Sequence, residues 1–99
     1  MKNFRTYNLA VEFYKEARAL SIRGPIRDQL LRASSSIALN LMEGRAKPTR
    51  KDQLKYFHIA MGSLRECQAI LDLSERTKHS SAEKFDCLAA HLYRLIQRA

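Results

Sequence analysis

The sequence predicts an all-α fold, an up-and-down antiparallel four-helix bundle in a single domain over residues 1–99. Three observations carry that expectation. Apolar residues recur at helical spacing in four separate segments, as amphipathic helices require. Gly, Pro and capping residues separate those segments, each placed where a helix would start or stop. No stretch alternates apolar and polar residues as a half-buried strand would, and no internal repeat suggests a solenoid.

The first helix is expected over about 6–20, where Leu9, Ala10, Phe13, Ala17 and Leu20 share one face. A further stripe, Tyr7, Val11, Tyr14 and Arg18, follows on the far side. Aromatic residues beside one arginine suit the core of a subunit contact. Solvent-exposed surface and base stacking on the tyrosines are the competing readings. Gly24 and Pro25 then punctuate the loop: glycine allows a positive φ, and proline presets the first helical turn.

The second helix, about 26–43, is the one around which the chain is organised. Ile26, Leu30, Ala33, Ile37 and Leu41 form its core face, while Leu31, Ala38 and Met42 form another apolar stripe with Leu39 beyond it. A helix apolar nearly all round is covered nearly all round. In so short a chain a second subunit is the expected cover. The run Ser34–Ser36 is small enough for close helix approach, and Asn40 is expected to hydrogen-bond across helices and fix register. Gly44 reads as the residue that stops the helix.

Thr49 is placed to cap the third helix, about 50–75, with Asp52 three residues on. Phe57, Ala60, Leu64, Cys67 and Leu71 lie on its inner face, and a close-packed neighbour is the expected reason for Gly62 in mid-helix. Ser80 and Glu83 form a capping box for the fourth helix, about 81–98, whose core face carries Phe85, Leu88, Ala89, Leu92, Leu95 and Ile96.

Two paired motifs resemble a known family. Ile37-Ala38-Leu39-Asn40-Leu41-Met42-Glu43-Gly44 is similar to the Ile-Pro-x-Asn-Ile-Ala-Glu-Gly signature of the small four-helix proteins called the S23, or 23S rRNA intervening-sequence, family. Phe57-His58-Ile59-Ala60-Met61-Gly62-Ser63-Leu64-Arg65-Glu66 resembles the second half of that signature. Ala38 replaces the usual proline, and Met42 the usual alanine; both changes favour helix. The resemblance implies a four-helix bundle, a symmetric homo-oligomer (a homopentamer by analogy with relatives) and kinship with accessory proteins of diversity-generating retroelements. Those accessory proteins interact with nucleic acid and a reverse transcriptase, so a reverse transcriptase joins RNA and DNA among the implied partners.

Composition narrows the function classes. Eighteen Lys and Arg against ten Asp and Glu give a net charge of +8, which raises the expectation of polyanion binding. Hydrophobic residues make up 45% of the chain, no apolar run approaches a membrane span, and the N-terminus has no signal-peptide pattern. A cytoplasmic protein without a membrane partner is expected. Cys67 and Cys87 read as small apolar fillers. Glu83, Cys87 and His91 fall at i, i+4 and i+8, but a zinc site needs further ligands, so the spacing reads as coincidence. No acid pair, nucleophile–base pair or phosphate loop has recognisable spacing. Neither an enzyme nor a cofactor is expected.

The basic end is the candidate site. In an up-and-down bundle the N-terminus, the second loop and the C-terminus gather at one end. Arg45, Lys47, Arg50 and Lys51, joined by Lys2, Arg5 and Arg98, are the candidate nucleic-acid contacts, and Lys55 and Arg94 add to the charge. Tyr7, Val11, Tyr14, Leu31, Ala38 and Met42 are the candidate oligomer interface. The expected function is a non-enzymatic oligomeric adaptor for RNA or DNA; the alternative is a scaffold that binds protein only.

Overall fold

The structure is a computed structural model that describes residues 4–74 and 82–98. Its elements are α1 (Arg5–Ala19), α2 (Pro25–Arg45), α3 (Arg50–Leu73) and α4 (Ala82–Gln97), with no strand among the described residues. Local chemistry explains most of the boundaries. Gly24 takes φ 77°, a conformation that suits glycine, and Pro25 follows at the first position of α2. At α3 the Thr49 side chain accepts from the Asp52 backbone N–H at 3.1 Å. The expected Ser80 cap of α4 lies outside the described residues.

Each helix packs against its sequence neighbours, and α1 closes the ring against α4. The chain therefore runs up, down, up, down. The expected core residues Phe13, Leu30, Ile37, Phe57, Ala60, Leu64, Leu71, Leu88 and Leu92 are all between 0 and 3% exposed. Phe13 meets Phe85 edge to face with ring centroids 5.6 Å apart, a favoured aromatic geometry. Phe4 and Ile22, just outside the helices, also join the core. At 24 residues, α3 spans about 36 Å at the ordinary helical rise, which accounts for most of the molecule's 39 Å length.

Three local expectations change. Gly44 does not stop α2, which continues through Arg45. It is there for space: a Cβ at Gly44 would lie 2.8 Å from Phe57 Cε1 and 2.9 Å from Tyr56 Cβ. Gly62 has the opposite surroundings, with nothing within 4 Å of where its Cβ would stand. The close approach expected at Gly62 thus occurs at Gly44. Asn40 does not bridge helices itself. Its amide donates to the Ser36 carbonyl at 2.9 Å and to Ser36 Oγ at 3.0 Å. The interhelical bond is Ser36 Oγ to Ser63 Oγ, 2.9 Å, with Asn40 behind it. An Asn one turn from a small hydroxyl can bond within its own helix, so register is held through serine.

Two arginines tie helix ends together. Arg27, in the first turn of α2, donates to the Leu20 and Arg18 carbonyls at 3.3 and 3.2 Å, at the end of α1. Arg50, opening α3, donates to the Leu95 and Ile96 carbonyls at 2.7 and 3.1 Å and also to the Arg98 carbonyl. Both meet the unpaired carbonyls and partial negative charge of a helix C-terminus.

Candidate nucleic-acid interface

The start of α1, the end of α2, the start of α3 and the end of α4 meet at one end of the bundle. Arg50 joins α3 to α4 there, and Arg45 stands over the Phe4 ring at 4.7 Å, joining α2 to the start of α1. Phe4 is 4% exposed, so its ring is a fixed platform. Between these helix ends lies a cleft of about 330 Å³ lined by Phe4, Arg5, Thr6, Arg45, His91, Arg94, Leu95 and Arg98. Four arginines and no Asp or Glu are among its lining residues.

The local chemistry of α1 adds to this field. Phe4 is its N-cap residue, no side chain caps it, and its first turn holds no acid. The leading backbone N–H groups of a helix lack intrahelical partners and carry partial positive charge. Anions favour such a place.

The expected contacts divide accordingly. Arg5, Arg45 and Arg98 share the cleft. Arg50 stands beside it, committed to the α4 carbonyls. Lys47 is paired with Glu43 at 3.1 Å and lies 5.1 Å from the Tyr56 ring centre. Its hydrogen bond to Glu43 holds the ammonium pKa above the ordinary lysine value. Lys51 is exposed in the first turn of α3, and Lys2 lies outside the described residues. Lys47 therefore has an acid beside it, because Glu43 lies one helical turn before it.

Arg94 and His91 are the basic lining residues missing from the expected contact set. A signal was available: His91, Arg94 and Arg98 stand at i, i+3 and i+7, one face of α4. His91 is oriented by its own helix, since Nδ1 donates to the Cys87 carbonyl at 2.9 Å. Among the described residues no group of three His, Cys, Asp or Glu side chains could hold a metal ion.

An adjoining cleft of about 290 Å³ has a different character. Glu12, Glu16 and Glu83 line it with Arg5 and Lys84. Lys84 donates to Glu12 at 2.8 Å, and this contact holds the Glu12 carboxyl below, and the Lys84 ammonium above, their ordinary values. Positive potential is thus concentrated at the bundle end and does not continue along the α1–α4 flank.

The sequence matches the model of the 23S rRNA-intervening sequence protein family over residues 3–98. The chain belongs to that family. A crystal structure of a protein of unknown function from the S23 ribosomal protein family of Bacteroides thetaiotaomicron is similar, with TM-score 0.63 and 21% identity. The likeness covers 93% of this chain and 92% of that one, and supports the shared fold. A comparison with curated proteins finds no match. The family's signature segments fall in α2 and α3, and α2 runs unbroken through Ala38 and Met42, where the signature has proline and alanine. The intervening-sequence signature also ends on the glycine that packs against Phe57. Among the described residues no helix is long and apolar enough to cross a membrane.

Proposed function

We propose that this member of the intervening-sequence family is a non-enzymatic, homo-oligomeric adaptor that binds RNA or DNA through the arginine-walled end of its bundle. The observation that carries the reading is the cleft whose walls bring together Arg5, Arg45, Arg94 and Arg98 without an acid. Arginine forks match phosphate oxygens in pairs of hydrogen bonds. Contacts of that kind give affinity and orientation without reading sequence. Binding should therefore be broad across sequences and strongly salt-dependent. If each of the four guanidiniums neutralises one phosphate of duplex DNA, log K should fall against log salt with a slope of roughly −3.6 per engaged subunit. Assembly would repeat the field around the symmetry axis.

The test compares two quadruple variants by fluorescence anisotropy with generic RNA and DNA. One changes Arg5, Arg45, Arg94 and Arg98 to Ala. The other removes equal charge at Lys15, Arg23, Arg32 and Arg65, all exposed and none lining the basic cleft. Binding abolished in the first and retained in the second supports the interface. Equal losses would leave only net charge as the cause. No salt-dependent binding by the unmodified protein would favour the protein-only scaffold.

A further inference from the structure

We infer that the arginine cleft is a receptor for a phosphomonoester, the terminal phosphate of a polynucleotide, rather than a groove for a passing chain. The inference rests on the nucleic-acid reading above and names which part of the strand the cleft takes. Three features converge on it. At about 330 Å³ the space between helix ends is on the scale of a small-ligand pocket, which begins at roughly 300 Å³. Four arginines line that one space, with no acid among its lining residues. A terminal phosphate carries up to about two negative charges at neutral pH and offers three acceptor oxygens; an internal diester carries one charge.

Thr6 supplies the second, independent observation. It is only 6% exposed, yet it lines the cleft. Its hydroxyl is not one of the enclosed polar atoms left without a partner among the described residues, so what it offers is a donor open to the cleft that the residue lines. In the second position of an uncapped helix, Thr6 offers a backbone N–H and a hydroxyl donor beside the arginines. Phosphate held by leading helix amides, with a hydroxyl and guanidiniums completing its shell, satisfies all of these groups together. The Phe4 ring, fixed under Arg45, closes the apolar side of the same space.

The experiment uses the full chain and one RNA sequence in four forms: 5′-phosphorylated, 3′-phosphorylated, unphosphorylated at both ends, and circular. One of the phosphorylated forms should bind about tenfold more tightly than the unphosphorylated and circular forms, the value of one further charge-assisted contact. Thr6→Val, which removes a donor and no charge, should erase most of that preference, bringing the phosphorylated form down to the affinity of the circular form. Thr6→Ser should restore it, and circular dichroism establishes that each variant folds. Equal binding of all four forms would overturn the terminal-phosphate site and leave the general phosphate-contact reading standing. Failure of every form to bind would remove that reading, and the assignment to a polynucleotide end with it. A thermal shift with a nucleoside monophosphate as large as that with the phosphorylated strand, and equally sensitive to Thr6→Val, would assign the cleft to a free phosphomonoester instead.

Discussion

A methyl group separates the behaviour of Gly44 and Gly62. Alanine at Gly44 would press its Cβ on Phe57 and Tyr56 at 2.8 and 2.9 Å, where the Phe57 ring is held in the core. Overpacking of that kind costs about 1–3 kcal/mol, partly offset by alanine's better helix propensity. Gly44→Ala should therefore lower the urea midpoint. Gly62→Ala meets open space and should raise stability by up to about 1 kcal/mol. A gain at Gly44, or a marked loss at Gly62 in the dissociated subunit, would contradict this packing. The sequence pattern reads these glycines the wrong way round, Gly44 as a helix stop and Gly62 as a close approach, because only the neighbouring helix distinguishes them. Cys67 was easier to read. Its place on the inner face of α3 implies burial, and burial pushes its thiol up to about 12. A thiol raised in the folded state contributes stability that is complete below its unfolded pKa, about 8.5, and is lost as pH rises toward the folded value. At pH 8 Cys67 should resist a disulfide reagent until the protein unfolds; rapid labelling of the folded protein would show that α3 opens locally.

Helix identity was legible because both its signals are local. Apolar spacing marked the segments, and Pro25 and Thr49 marked two starts. What remained illegible depends on contacts between distant elements. Arg50 looked like one more cation in a basic run; in the fold it donates to carbonyls 45 and 46 residues away. Removing it should fray the last turn of α4 and cost about 1.5–3 kcal/mol, the range for hydrogen bonds to a charged group. Amide exchange in Arg50→Ala should accelerate around Leu95 and Ile96 before it does in α2. The same limit hid the contact between Glu12 and Lys84, which joins α1 to α4. There the carboxyl is lowered, first by the Lys84 hydrogen bond and then by its charge. Its contribution is therefore present above the ordinary carboxylate range and lost as pH falls through the folded value. Lys84→Met should move the Glu12 titration upward in an NMR pH series. An unchanged titration would mean that the pair does not persist in solution.

At the scale of the whole molecule, charge and apolar surface occupy different places. The arginine cleft lies at one bundle end, whereas Leu39 of α2 is 68% exposed and Ile59 of α3 is 43% exposed on the sides. Tyr7, Val11, Tyr14, Leu31, Ala38 and Met42 are each half-buried in the single subunit. Together with Leu39 they give α2 the wider apolar face that its sequence pattern implied, and α1 a matching aromatic stripe. We propose that copies of the chain cover these faces in a closed homo-oligomer, with five subunits suggested by family resemblance alone. Leu39→Asp separates assembly from folding. A side chain so exposed in the subunit should change its stability by no more than about 0.5 kcal/mol. A charge placed inside a subunit contact would instead be desolvated without a partner, which is strongly unfavourable. Sedimentation equilibrium should therefore show a multiple of 11.4 kDa for the unmodified protein and a smaller species for Leu39→Asp, with helicity unchanged. The mass of one chain at micromolar concentration for the unmodified protein would refute the assembly. An intact assembly in Leu39→Asp would move the contact to a face that excludes Leu39. Because Leu39 does not line the arginine cleft, the dissociated variant should still bind RNA, but with a shallower salt dependence, since fewer clefts engage each strand.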